Sequence, residues 1–248
     1  MNRKIRVTAL VLLAALATAT AKAAPDARTV LRAIEDNHRG GAGHATITLT
    51  VSRPDRRTEY VLAVWSDGEE RGLVQVKSPA RDAGQAFLKV GDNLWVYTPR
   101  LKRTLRLPPS GRSESFLGSD ISYSDLSGRD IEQDYTARVA SADAKSVVLE
   151  LIPSPSAPTP YGKLTVTADA STFAPQEWLF YDQRGQAVKR VAFSLHTKIG
   201  DRLFPTRTIV EDLLRSGYRT TAAYSDYRFG VKVPEACFTL QALEQGCE

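Results

Sequence analysis

The stretch Gly91-Asp92-Asn93-Leu94-Trp95-Val96-Tyr97-Thr98-Pro99 has the pattern of a tight turn followed by a short strand. Gly91-Asp92 is typical of a hairpin turn, and the aromatic and β-branched residues after it favour extended backbone. Pro99 ends the run, because proline cannot donate to a strand ladder. Residues 100–102 then turn the chain and residues 103–107 return it, so the sequence predicts a β-hairpin here.

A second motif follows at residues 116–125, Phe-Leu-Gly-Ser-Asp-Ile-Ser-Tyr-Ser-Asp. Together with Asp92, Trp95, Tyr97 and Pro99, it resembles the LolA-like superfamily of periplasmic outer-membrane lipoprotein-sorting proteins. Further matching positions lie on both sides of these motifs: Pro79, Gly84–Leu88, Phe229-Gly230, Phe238-Thr239 and Leu243-Glu244. The resemblance implies a half-open β-barrel with a helical lid over an apolar cavity.

The first 23 residues have the features of a cleaved secretory signal peptide. They combine a basic start, an apolar run at residues 7–17 and a small-residue cleavage site at Ala21–Ala23. The run is too short to span a bilayer as a helix, and no cysteine follows the cleavage site. We therefore expect a periplasmic protein without a lipid anchor, with residues 24–248 forming one domain.

Removal of that segment changes the charge of the chain. It takes away four basic residues and no acidic ones, which lowers the formal charge from +5 to about +1. A strongly basic footprint for nucleic acid is then missing. The composition predicts no nucleic-acid partner.

The chain after this segment predicts a short helix followed by strands. Asp26 can cap a helix that places Val30, Leu31 and Ile34 on one face. Roughly eleven strands follow, beginning with the alternating run at 45–52 and joined mostly by hairpin-length turns. One of them is predicted at 131–139, and a closing helix at 234–243.

Three of these strands, at 94–97, 147–152 and 178–181, are apolar on both faces, so we expect cover on each side. About eleven strands exceed the number that close with a filled interior. The predicted fold is mainly β (α+β): an antiparallel, incompletely closed β-barrel with a helical lid or plug. The opening helix and the 116–126 segment are the candidate plugs.

Large apolar residues on the predicted strands and lid are candidates for a lipid-binding cavity. Acyl chains need wide apolar walls, although each residue is also compatible with an ordinary core position. The candidate set is Phe87, Trp95, Tyr97, Phe116, Leu117, Trp178 and Phe180. Phe116 and Leu117 are favoured, since Gly118 and the nearby serines would give their segment the mobility of a lid.

A second candidate set is basic and surrounds the predicted hairpin: Arg100, Lys102, Arg103, Arg106 and Arg112. No acidic residue interrupts it. Such a hairpin can contact anionic lipid headgroups or an acidic patch on a partner protein. It can also be a solvated edge whose charges prevent aggregation, and the sequence leaves both interpretations open.

Other site types are poorly supported. Asp120, Ser122, Ser124 and Asp125 imitate part of a calcium loop, but a glycine at the sixth position and a glutamate at the twelfth are missing. No zinc-protease helix pattern or nucleophile elbow is present. The sequence predicts no enzyme, no metal and no cofactor.

Cys237 and Cys247 are the only cysteines of the chain. An oxidising periplasm could join them, which would mainly restrain the C-terminal tail.

Two hypotheses for function follow. The first is a periplasmic carrier that shields acyl chains of a lipoprotein or lipid and exchanges them with an inner-membrane transporter or an outer-membrane acceptor. The second is a periplasmic adaptor that docks a transporter or envelope complex and carries nothing.

Overall fold

The computed structural model describes residues 26–127, 131–157 and 159–247. The signal peptide predicted at residues 1–23 lies outside them. Thirteen strands of the described chain form one antiparallel sheet. They are β1 (Ala42–Arg53), β2 (Arg56–Asp67), β3 (Arg71–Ser78), β4 (Ala86–Val90), β5 (Asn93–Thr98), β6 (Arg103–Arg106), β7 (Tyr135–Ala142), β8 (Ser146–Pro153), β9 (Lys163–Asp169), β10 (Pro175–Tyr181), β11 (Ala187–Ile199), β12 (Arg202–Asp212) and β13 (Arg219–Phe229).

Three α-helices accompany the sheet: α1 (Ala27–His38), α2 (Ile131–Asp134) and α3 (Leu240–Gln245). Short 3-10 turns occur at Pro99–Leu101, Pro109–Ser113, Phe116–Gly118, Asp125–Ser127 and Glu235–Phe238. Helix α1 begins where the sequence predicts, because the Asp26 carboxylate accepts a hydrogen bond of 3.0 Å from the Thr29 N–H. No helix in the described ranges is long and apolar enough to cross a membrane.

The sheet is unclosed. Its order is β6-β5-β4-β3-β2-β1-β13-β12-β11-β10-β9-β8-β7, so the first and last strands meet at the centre and β6 and β7 form the two open edges. This confirms the predicted fold class, with thirteen strands instead of roughly eleven. The chain leaves the sheet after β6 at one open edge and rejoins it with β7 at the other.

Helix α1 fills one half of the interior. Its buried residues Val30, Leu31 and Ile34 pack with side chains of β8 to β12 in one apolar cluster. The helix contacts both β7 and β12, which would be roughly 24 Å apart in a flat sheet at the usual strand spacing. A helix is only about 10–12 Å wide, so the sheet curves around it.

The other half is filled by residues 116–127, named here the plug segment. Phe116 is buried and packs with Phe87, Leu62 and Val76 on the same face of β2 to β4. The ring centroids of Phe87 and Phe116 are 4.7 Å apart in an edge-to-face arrangement, a favoured geometry for aromatic pairs. Both candidate plugs of the sequence analysis therefore lie inside the curved sheet.

The C-terminal residues cover the opposite, outer face of β3 to β5. Val233, Cys237, Phe238 and Leu243 form a buried cluster with Leu73, Ala86 and Leu88. Strand β5 is accordingly covered on both faces, as predicted. The same prediction is wrong for β8, where Ile152 on the outer face is 44% exposed, because no described element packs there.

The predicted strand at 131–139 starts later, at Tyr135, because residues 131–134 form α2. Contacts with α1 explain the difference. The Glu35 carboxylate accepts a hydrogen bond of 2.8 Å from the Ile131 N–H. The Glu132 carboxylate receives Arg28 at 3.2 Å and Arg32 at 2.7 Å. These long-range contacts favour a helical turn that local β propensity does not indicate.

Candidate functional site

A cavity of about 710 Å³ lies between α1 and the plug segment. Its volume is within the range of pockets that hold small ligands, about 300–1,000 Å³. Residues of β9 and β10 line one end and residues near the start of β1 line the other. The cavity therefore follows the interior of the curved sheet where neither α1 nor the plug segment fills it.

Aromatic side chains form much of its wall. Trp178 lies 5.2 Å from Phe193, and Tyr161 lies 4.8 Å from Phe180, measured between ring centroids. On the other side of the cavity, Phe204 packs edge-to-face against Tyr224 and Phe229 at 5.0 Å each. Alternation places Trp178 and Phe180 on the inner face of β10. On β13 a bulge between Ser225 and Arg228 brings Tyr224 and Phe229, five residues apart, to the same face. The result is an apolar wall stiffened by ring contacts.

The C-terminal end of α1 brings polar groups to the same cavity. The His38 ring lies 5.0 Å from the Trp178 ring and 5.1 Å from the Phe193 ring. Desolvation by these neighbours, with a smaller repulsion from Arg39, lowers the pKa of His38 to about 4. His38 is therefore neutral at neutral pH and behaves as part of the aromatic wall.

Burial also affects the tyrosines of the wall. It raises the pKa of Tyr161 to about 12, with smaller contributions from Asp125 and Asp212, and it raises the pKa of Tyr224. Both phenols remain protonated at neutral pH. The wall thus presents uncharged aromatic surface, while Glu35, Arg39, Glu69, Arg112 and Asp125 supply charge elsewhere along the lining.

Two glycines allow close packing at the end of the cavity near β1. A Cβ at Gly43, whose φ is +149°, would lie 2.0 Å from the Arg228 carbonyl oxygen. A Cβ at Gly40 would lie 2.4 Å from the Phe229 ring. The Gly43 contact is with the backbone, so only glycine allows this approach of β1 and β13, whereas a side chain at residue 40 would require the Phe229 ring to shift.

The plug segment is fastened to the sheet by a buried ion pair. Arg53 Nη1 lies 2.9 Å from Asp120 Oδ2, and the two side chains are 7% and 3% exposed. The Thr220 hydroxyl donates to the same carboxylate oxygen at 2.7 Å and accepts from the Asp120 N–H at 2.9 Å. Arg53 also donates to the Gly118 carbonyl at 2.5 Å. We refer to Arg53, Asp120 and Thr220 as the latch.

The remaining polar residues of the motif at 116–125 hold the segment's own shape. Ser119 is buried and bonds to both the N–H and the carbonyl of Ile121. The Asp125 carboxylate accepts from Ser122 and forms an ion pair of 2.8 Å with Lys189 on β11. The carboxylates that imitate a calcium loop are thus directed at cationic partners and local N–H groups.

The structure divides the predicted cavity residues among three places. Trp178 and Phe180 line the cavity. Phe87, Phe116 and Leu117 belong to the plug cluster, where they pack against one another. Trp95 and Tyr97 lie on the outer face of β5, against the C-terminal cluster, so their assignment to the cavity is wrong. The inner face of β5 is formed by the residues that alternate with them, such as Val96. Periodicity alone does not tell which face of a strand is the inner one.

The basic set does not act as one group. Arg100, Lys102 and Arg103 lie exposed at the tip of the β5–β6 hairpin. Arg106 donates to the Asn93 side chain, and Arg112 donates to the Asp92 carbonyl and lines the cavity. Only the first three residues form an exposed basic tip.

Cys237 and Cys247 are joined by a disulfide. Cys237 is buried in the cluster on the outer face of β3 to β5. The bond therefore fastens the C-terminal residues far from the cavity lining.

The sequence analysis did not identify several cavity residues. They are Glu35, His38, Tyr161, Phe204, Tyr224 and Phe229. His38 follows the apolar face of α1 at i, i+4 and i+8 from Val30 and Ile34, which is a usable signal. The others lie on strands far apart in the sequence, so only the curvature of the sheet brings them together.

Comparisons with known proteins agree with this architecture. A family model described as "-like: Uncharacterized protein" matches residues 68–245. No curated protein matches the chain. A solved LolA superfamily protein from Nitrosomonas europaea is 27% identical with a TM-score of 0.73, and the match covers 88% of this chain and 99% of that one.

Two further solved structures share the fold. A domain from Vibrio parahaemolyticus assigned to outer-membrane lipoprotein sorting is 24% identical, with a TM-score of 0.77, covering 88% of this chain and 98% of its own. A DUF1329 family protein from Desulfovibrio piger is 22% identical, with a TM-score of 0.78, covering 87% and 96%. At these identities the likeness concerns the fold.

Proposed function

We propose that the chain is a periplasmic lipid carrier, because it belongs to the family whose model matches residues 68–245, within the LolA-like superfamily of outer-membrane lipoprotein-sorting proteins. It shields acyl chains of a lipoprotein or lipid inside the curved sheet and exchanges them with a membrane transporter or an outer-membrane acceptor. Residues 24–248 act as one domain after removal of the signal peptide.

The cavity of about 710 Å³ is the observation that carries this proposal. Its wall of Trp178, Phe180 and Phe204 offers apolar surface to an acyl chain, and each buried methylene contributes about 0.8 kcal/mol. Neutral His38 and protonated Tyr161 add no charge to that wall. The charged residues elsewhere along the lining are suited to the polar end of the same molecule.

Release requires that α1 or the plug segment move, since the cavity lies between them. The plug segment is the better candidate. It is a short run of 3-10 turns without strand pairing to the sheet, and its polar attachments to the sheet are the latch and the Asp125–Lys189 ion pair. A donor or acceptor that competes for the latch would open the cavity from this side.

The test is native mass spectrometry with lipid extraction, on protein purified from the periplasm without detergent. We expect a bound species that organic solvent removes. Val64→Phe should reduce its amount, because Val64 lines the cavity from β2. Ala63→Phe places the same ring on the opposite face of that strand and serves as the matched control. Equal lipid content in wild type and both variants would contradict the cavity assignment.

The second candidate function is that of an adaptor that docks an envelope complex and carries nothing. The exposed tip of the β5–β6 hairpin supports it. Protein that stays empty after incubation with envelope lipids and lipoproteins would favour it. In that case Arg100→Glu with Arg103→Glu should abolish capture of the partner, while Val64→Phe should not affect it.

A further inference from the structure

The two ends of the strands differ in charge. The pairing register places the β3–β4, β5–β6, β10–β11 and β12–β13 turns at one edge of the sheet, named here the basic edge. These turns carry Arg81, Arg100, Lys102, Arg184 and Arg215 against Asp82 and Asp182, and the β1–β2 turn at the same edge adds Asp55, followed by the exposed Arg56 and Arg57. The β2–β3, β4–β5, β7–β8 and β11–β12 turns at the opposite edge carry Glu69, Glu70, Asp92, Asp143 and Asp201 against one basic residue, Lys145.

Exposed leucines occur at the basic edge as well. Leu101 at the hairpin tip is 65% exposed, and Leu214 in the β12–β13 turn is 58% exposed beside the exposed Leu213. Each lies next to a basic residue, Arg100 and Lys102 in the first turn and Arg215 in the second. Single exposed leucines are ordinary, but two sites of exposed leucine beside cations at the same edge indicate a binding surface.

The cations at the hairpin tip are available for a partner. Arg100, Lys102 and Arg103 form no ion pair with any residue that the structure describes. Arg81 and Arg215 do pair, with Asp82 at 3.0 Å and Asp212 at 2.7 Å. Exposed pairs of this kind contribute little to stability and exchange readily for other anions.

We infer that the basic edge docks on the surface of an anionic lipid bilayer. Leu101 and Leu214 would enter the interfacial region, while the neighbouring Arg and Lys side chains contact the headgroups. An acidic protein surface would satisfy the charges but would leave the two separated leucine sites in water. The opposite edge, which carries mostly acidic turns, would be repelled by the anionic bilayer. This repulsion fixes the orientation of the molecule.

Docking in this orientation has a consequence for the cavity. The end of β8 and the start of β9 lie at the basic edge, and Thr159, Pro160 and Tyr161 before β9 line the cavity. One end of the cavity would then face the bilayer. The inference extends the contact proposed above for the hairpin, but it does not require the cavity to hold a cargo.

Co-sedimentation with vesicles tests it. The purified chain should bind vesicles that contain phosphatidylglycerol more tightly than vesicles of phosphatidylcholine alone, and salt should weaken the binding. Arg100→Gln with Arg103→Gln should reduce the partition constant roughly 25-fold, at about five-fold for each lost cation. Leu101→Ser with Leu214→Ser should reduce it at least several-fold.

Leu195 provides a matched control, because it is also 65% exposed but lies within β11, away from the basic edge. Leu195→Ser should leave binding unchanged. Equal binding to both kinds of vesicle, or equal losses in Leu195→Ser and in the double variant Leu101→Ser with Leu214→Ser, would overturn the inference. Lack of vesicle binding together with capture of an acidic protein would replace the bilayer by a protein partner. Lipid content measured by extraction reports on the cavity separately.

Discussion

Arg53 and Asp120 form an ion pair whose side chains are almost fully excluded from solvent. Removing one partner of such a pair leaves an uncompensated buried charge, which typically costs about 3–5 kcal/mol. We therefore expect Asp120→Ala to lower the free energy of unfolding by that amount, measured by urea denaturation. It should also expose the plug segment to proteolysis.

Glu59 offers the control for this prediction. It pairs with Arg57 at 3.8 Å at a site where both side chains are more than half exposed. Glu59→Ala should cost less than about 1 kcal/mol, as exposed pairs usually do. If the two variants lose the same stability, the latch does not hold the plug segment.

His38 should make stability depend on pH. Its pKa is about 4 in the folded protein and about 6.5 in the unfolded chain, so the unfolded chain takes up the proton first as the pH falls. Stability is complete above pH 6.5 and declines toward pH 4, by at most about 3 kcal/mol. His38→Phe keeps an aromatic ring beside Trp178 but cannot titrate.

The difference between wild type and His38→Phe isolates the histidine from carboxylates that titrate in the same range. Urea denaturation at several pH values should show a flatter profile for the variant between pH 6.5 and 4. Parallel profiles would mean that His38 is solvated in the folded state.

At the scale of elements, the disulfide restrains the C-terminal residues in addition to their buried apolar cluster. It closes a loop of ten residues, which in the chain-entropy model stabilises by about 2–3 kcal/mol. A reductant should therefore lower the free energy of unfolding of the wild type by about that amount. The double variant Cys237→Ser with Cys247→Ser should not respond to reductant, and a response there would indicate a different cause.

The elements themselves were largely predictable from sequence. Alternating runs bounded by Gly, Pro and Asp locate the strands because side-chain period and turn chemistry are local properties. Asp26 marks the start of α1 for the same reason. Helix α2 was not predictable, because Glu35 and Glu132 define it through contacts with α1 that are about a hundred residues apart in sequence.

The candidate site was less predictable. Trp178 and Phe180 were cavity candidates and line the cavity, but Trp95 and Tyr97, candidates in the same set, lie on the outer face of β5. A strand that is apolar on both faces gives no local sign of which side the C-terminal residues will cover. The latch was not predictable either. The local sequence indicates a turn role for Asp120, and its cationic partner Arg53 is 67 residues away.

At the scale of the whole molecule, α1 and the plug segment divide one interior, and the cavity is the space between them. A cargo held there contacts both, whereas the C-terminal cluster lies on the other side of the sheet. Binding to the folded state also stabilises it, by about 2.7 kcal/mol at a free ligand concentration of one hundred times Kd. The residues that become more stable on binding show whether the ligand lies in the cavity or on the surface.

Hydrogen exchange measured by mass spectrometry can identify the residues that a bound ligand stabilises. We compare delipidated protein with protein loaded with a diacylated lipopeptide, and we expect slower exchange in residues 27–38 and 116–127. Exchange in α3, on the outer face, should not change, because α3 shares no contact with the cavity lining. Slower exchange confined to residues 99–106 would instead place the lipopeptide on the β5–β6 hairpin, and the carrier proposal would fail while the docking surface remained.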